Sequence, residues 1–201
     1  MRFWIFGNKK KTPAVKPIVT VPQENMRVGM EGIWWDKIHT RQSDGSITVV
    51  ETAKVHNTIM DKVAQLLAGL LKNETTFTGG ILYHGLGRGN SAWDTSPTPP
   101  SPDKSNTILV DEYFRKSPDL VEYIDDIGNP TSTITNRVRL KTIFDFSEAN
   151  GEWIREQGVF GGDATTGLNS GHIINIIRHS RIRKEDNVKL ERFIQFNIVL
   201  T

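Results

Sequence analysis

The sequence predicts a mainly β fold: a two-sheet antiparallel sandwich carrying one amphipathic helix and an extended N-terminal arm. Three observations lead there. Several segments alternate apolar and polar residues, and the last is the cleanest, with Val188, Leu190, Ile194, Phe196, Ile198 and Leu200 set against Lys189, Glu191, Gln195, Asn197 and Thr201. Turn-forming clusters separate these segments in a chain with 17 Gly and 9 Pro, the usual punctuation of a sandwich or barrel. A single segment has a helical period.

Residues 1–25 read as an arm. Phe3-Trp4-Ile5-Phe6 is followed by Lys9-Lys10-Lys11 and then by Pro13, Pro17 and Pro22. Proline lacks a backbone donor, so this stretch suits an extended path and not a central strand. The apolar opening is too short for a signal-peptide core. Residues 26–201 make the sandwich domain. It begins with a hairpin, in which residues 28–40 and 47–51 flank the turn Ser43-Asp44-Gly45-Ser46. Trp34 and Trp35 are adjacent in the first strand, so one faces the core and the other a second surface or water.

Ile59, Val63, Leu66, Leu67 and Leu70 form one stripe, which predicts a helix over residues 58–72. Thr58 and Asp61 resemble a capping box, and Lys72 and Asn73 suit the C-terminal end. Gly69 should weaken the helix by about 1 kcal/mol relative to Ala. Ile81–His84 reads as a short buried strand. The loop over residues 86–106, with Pro97, Pro99, Pro100 and Pro102, is long enough to suggest a connection that reaches a neighbouring molecule.

Alternation over residues 133–146 predicts a strand of roughly 40 Å or more. Asn150-Gly151 is a turn signal, from which Trp153 to Phe160 returns. Ile173, Ile174, Ile176 and Ile177 suggest a strand covered on both faces. Arg178, Arg181, Arg183 and Lys184 read as a basic turn between that strand and the last one.

Composition narrows the function classes. The chain has 201 residues and no cysteine, which excludes disulfides, thiolate metal sites and cysteine nucleophiles. Twenty-five Lys+Arg balance 23 Asp+Glu, so bulk charge implies neither nucleic acid nor an anionic membrane as a partner. Mean hydropathy is −0.38, and no apolar run approaches the roughly 20 residues of a membrane helix. The five histidines show no zinc-ligand spacing. Gly85-x-Gly87-x-Gly89 lacks the following helix that a phosphate-cradling loop needs, so room for a close neighbour or a positive φ explains it better. Asp125-Asp126 and Asp163 lie in turn-like sequence. No catalytic residue, cofactor site or metal site is expected.

One resemblance adds to this. The succession His56-Asn57, Gly85-Leu86-Gly87-Arg88-Gly89-Asn90, Leu109-Val110-x-Glu112-x-x-Arg115-Lys116, Phe144-x-Phe146-x-x-Ala149-Asn150-Gly151, Glu156-x-Gly158-Val159-Phe160-Gly161-Gly162-Asp163-Ala164-Thr165 and Gly171-x-Ile173-x-Asn175 resembles a group of tailed-bacteriophage virion proteins over residues 55–201. The resemblance implies a non-enzymatic subunit of tail, baseplate, neck or fibre attachment, assembled in the host cytoplasm into the virion. Its implied partners are further copies of itself and other virion proteins. The residues expected at those contacts are Phe3, Trp4 and Phe6 of the arm, Trp34 and Trp35 of the first strand, and Arg88 and Trp93 of the long loop. Ion pairs of Glu112 with Arg115 and of Glu156 with Arg155 are further candidates. The alternative is a receptor-binding module of a tail tip, in which surplus tryptophans stack on host glycan.

Overall fold

A computed structural model describes residues 27–96 and 98–200, and the expected arm, with Phe3, Trp4 and Phe6, lies outside them. Strands make up 51% of the structure and helices 9%, which makes the protein mainly β, as the alternation predicts. The strands are β1 Val28–Arg41, β2 Ile47–Glu51, β3 Val55–His56, β4 Thr58–Ile59, β5 Gly79–Gly87, β6 Glu112–Lys116, β7 Leu120–Ile124, β8 Pro130–Thr131, β9 Arg137–Phe144, β10 Glu152–Gly162, β11 His172–Lys184 and β12 Val188–Leu200. The α-helix is α1 Lys62–Lys72. One sheet runs β2-β1-β12-β9-β7-β8, with β3 also on β1; the other runs β4-β11-β10-β5-β6.

The β1–β12 ladder is the spine of the first sheet, in register from Val28↔Leu200 to Thr40↔Val188. It places Trp34, Ile194 and Leu140 side by side on the inner face, where they meet Val159, Ile174 and Ile177 of the second sheet. Shifting the register by one residue would turn this entire set to solvent, so burial fixes it. The β1–β2 hairpin forms as expected: Gly45 has φ 83°, and the Asp44 carboxylate accepts the Ser46 N–H.

The chain then changes sheets within a few residues. β3 pairs with β1 and β4 pairs with β11, and only Asn57 stands between them. Here the helix expectation needs correction, because Thr58 and Ile59 belong to β4. The helix begins only after Asp61, whose side chain makes no capping bond, so the proposed capping box does not form. The C-terminal end is as expected: Asn73 is left-handed, and its N–H reaches the Gly69 and Leu70 carbonyls. Gly69 has a packing reason, since a Cβ there would lie 2.2 Å from the Phe77 ring.

Four other expectations change. Ile81–His84 extends to a nine-residue strand that absorbs Gly85 and Gly87. The long loop does not stand away from the body. It folds back over the outer face of the second sheet, and its far end buries Leu109 completely against Met60, Phe160, Ile173 and Ile176. β9 spans only eight residues, because the Thr135 hydroxyl bonds the Ile124 carbonyl and the Asn136 amide bonds the Ile198 carbonyl, which ends the ladder before residue 137. The basic residues at 178–184 are strand, not turn. Lys184 is fully buried, with its ammonium donating to the Asp145 and Glu185 carbonyls and to Asn150 Oδ1.

Candidate functional site

The outer face of the second sheet carries most of the charged and aromatic chemistry. β10 and β11 lose register between Ile154 and Glu156, where residues 179–181 of β11 stand opposite Arg155 alone, so that Ile154 faces the core while Glu156 faces outward. This bulge aims Arg155 at the folded-back loop. Arg155 Nε and Nη2 reach the two Asp94 carboxylate oxygens at 2.9 and 2.7 Å, and Arg181 adds a contact of 2.9 Å. Hydrogen bonds from Arg155, with Arg181 adding to them, hold the Asp94 pKa down at about 2.

Asp94 sits in a short 3-10 helix, Ser91–Thr95, which Asn90 caps by accepting the Ala92 N–H. Arg178 lies 4.5 Å above the Trp93 ring and donates to the Pro100 carbonyl. Arg181 and Arg183 cover Trp153 at 4.5 and 5.4 Å. Arg88 bridges Asp111 and Glu152, both at 3.1 Å, and covers Tyr113. Arg155 of β10 and Arg178 and Arg181 of β11 thus grip the loop with guanidinium groups, which suit both carboxylates and ring faces.

Beneath the loop lie two buried carboxylates seated against glycines. Glu112 pairs with Arg115 at 2.7 Å, and a Cβ at Gly85 would lie 2.1 Å from its Oε1. Glu112 also accepts the Asn169 N–H. Glu156 accepts the Asp111 N–H, and a Cβ at Gly87 would lie 2.6 Å from its Cγ. The glycine series is therefore spacing for these groups. The Glu112–Arg115 pair forms as expected. The Glu156–Arg155 pair does not: Arg155 goes to Asp94, and Glu156 has Arg178 at 3.9 Å. Burial raises the Glu156 pKa.

Between the sheets runs a buried polar band. Asp36, Arg192 and Thr142 oppose one another across β1, β12 and β9, all without exposed surface. Arg192 Nη2 lies 3.1 Å from Asp36 Oδ2 and 3.2 Å from His179 Nε2. The guanidinium can only donate, so His179 Nε2 accepts, and its Nδ1–H goes to the Ser180 carbonyl at 2.8 Å. His84 bonds Thr142 Oγ1 at 2.9 Å and Gln157 Oε1 at 2.7 Å, which puts its proton on Nε2. Burial, reinforced by the Arg192 charge, drives both histidines down to about 3.

A cavity of about 210 Å3 opens where the loop meets β11, between Trp93, Asp94, Pro99, His179 and Arg181. Its carboxylate is held by two arginines, and its imidazole commits both nitrogens. Among the described residues, no three His, Asp or Glu converge as metal ligands, and no helix is long and apolar enough to cross a membrane.

The sequence-predicted contact residues separate into three groups. Arg88 and Trp93 come together in the loop clamp. Trp34 and Trp35 are 9% and 6% exposed, which corrects the expectation of an exposed tryptophan. Trp34 packs between the sheets beside His179, while Trp35 on the other face stacks on Phe193 at 5.0 Å beneath Lys54. Phe3, Trp4 and Phe6 are outside the described residues. Sequence reasoning missed Asp94 and Arg155 as the central pair; the available signal was Arg178, Arg181 and Arg183 within a β run rather than a turn. Removing the Asp94 carboxylate leaves the nearly buried Arg155 without its counter-charge, holding only the Arg88 carbonyl. Asp94→Ala should destabilise the clamp and open the loop to limited proteolysis, with cleavage between residues 88 and 111 as the readout. Unchanged cleavage would place the pin elsewhere.

Fold and clamp together define a two-sheet, mainly β protein whose longest loop is bolted to its own surface. Compared with protein-family models, curated proteins and solved structures, the chain matches none.

Proposed function

We propose that this chain is a non-enzymatic structural subunit of a tailed-phage virion, in the tail, baseplate or neck, that assembles as a symmetric oligomer and docks neighbouring virion proteins or fibres. The observation that carries this reading is the edge strand β2. It ends the first sheet, and Ile47, Val49 and Val50 are 52, 51 and 57% exposed, with Val55 of β3 exposed beside them. Val49 and Val50 point to opposite faces, so β2 presents apolar side chains on both sides of an edge that no described strand pairs. Proteins that stay monomeric blunt such edges, and a subunit offers them for pairing. A closed ring would bury the edge once per copy.

The chemistry of the interior supports the same reading. His84, His179, Asp94 and Glu112 are all engaged in structural contacts. For the glycan alternative, Trp34 and Trp35 are buried and offer no free ring for stacking. The mass of the native chain by light scattering tests the proposal: a discrete oligomer is expected. Val49→Lys should shift the mass toward monomer while changing folding stability by no more than about 0.5 kcal/mol, because the site is exposed. A wild-type monomer that binds envelope polysaccharide would overturn this proposal in favour of the receptor-binding alternative.

A further inference from the structure

An apolar notch opens under α1 at the end of the sandwich where β1 begins. Leu66, Leu70, Ile81, Val138, Phe196 and Ile198 contribute to a hollow of about 100 Å3 with no polar surface in its lining. Of the helix stripe only Leu66 is buried, and Leu70 remains 39% exposed, so the described residues leave part of this amphipathic face uncovered. Met30 lines this notch and also an adjoining hollow of about 300 Å3 that contains Asn57. Both side-chain atoms of Asn57 are buried without a hydrogen-bond partner. A carboxamide offers N–H donors and a carbonyl acceptor, and can pair with both the C=O and the N–H of a passing peptide backbone. Apolar pockets beside an orphaned amide describe a seat for an apolar peptide segment.

The chain contains such a segment. Phe3-Trp4-Ile5-Phe6 precedes β1, which starts at Val28, next to Met30. Residues 7–26, carrying Pro13, Pro17 and Pro22, would span roughly 60 Å in the extended form that proline favours. A folded domain of this size is only about 40 Å across. A connector of that reach is long enough to carry the aromatic cluster to a neighbouring copy.

We infer that the notch under α1 receives the Phe3–Phe6 segment of a second copy of this chain, so that each subunit clasps the next. This rests on the oligomeric reading above and names the contact that would link its copies. The absence of native cysteine permits a direct test in the full chain. Ile5→Cys and Leu70→Cys are placed on separately tagged chains, which are co-expressed and oxidised. The expected result is a disulfide joining the two tagged chains, formed at least about tenfold faster than with Ser43→Cys in place of Leu70→Cys, because a docked segment experiences a millimolar local concentration. Ser43 lies in the turn at the far end of β1.

A double variant that closes its disulfide only within one chain would overturn the inference, since the notch would then be covered by its own arm. No disulfide in a chain that light scattering shows to be a discrete oligomer would overturn the clasp and leave the structural role standing. No disulfide in a monomer would overturn both.

Discussion

Lowering the pH from 7.5 to 5 is expected to remove about 4 kcal/mol of folding stability through two histidines alone. His84 and His179 are buried as neutral imidazoles, with folded pKa values depressed to about 3. In the unfolded chain each titrates near its ordinary value of about 6.5. Below that value the unfolded state binds protons that the folded state refuses. The stability contributed by a neutral buried ring is thus complete above about pH 6.5 and falls through the window down to about pH 3, by roughly 2 kcal/mol per histidine at pH 5. Asp36 and Glu156 act with the opposite sign, because burial raises their folded pKa values and protonation relieves them. Their offset grows as the pH falls through those raised values toward the ordinary carboxylate value. Urea unfolding at the two pH values measures the net loss, and His84→Gln should reduce the pH-dependent part to about half. An unchanged midpoint between pH 7.5 and 5 would mean that the rings are accessible to water.

The second large effect is Arg192→Ala, expected to cost about 3–5 kcal/mol at neutral pH. The guanidinium is fully buried and faces Asp36, which has no exposed surface and no other partner of opposite charge. The Arg192 Nε and Nη1 atoms are themselves unpartnered, so the pair is an imperfect one. Removing one member leaves a carboxylate in a medium that cannot solvate it. The pair as a whole is a different matter. Asp36→Leu combined with Arg192→Met should be neutral or stabilising, because two desolvated ions are exchanged for apolar surface of similar volume. If the single variant lost less than about 1 kcal/mol, water would have to reach Asp36.

Much of the fold was legible in particular residues. The period-two pattern of 188–200 is β12, the Asp44-Gly45 and Asn150-Gly151 turns occur where the strands need them, and Asn73 stops the helix. These signals are local, and each is decided within a few bonds. The misreadings share a cause as well. Gly85 and Gly87 looked like loop because nothing near them in the chain says that Glu112 and Glu156 arrive from other strands to occupy the space above them. Residues 178–184 looked like a turn because their charges are balanced by Asp94 and by main-chain carbonyls of other segments. The adjacent tryptophans were correctly assigned to opposite faces, yet burial of Trp35 depends on Phe193 and Lys54.

The sequence by itself determined the strand-rich architecture, the faces of the long strands and the existence and C-terminal end of α1, since side-chain periodicity and turn chemistry act between near neighbours. Only the tertiary structure decided that the long loop folds back instead of reaching out, that Asp94 and not Glu156 takes Arg155, and that Asp36, Arg192, His84 and His179 meet between the sheets. Those outcomes depend on which distant groups share a low-dielectric interior, where a charge or a polar atom must find its partner across the fold.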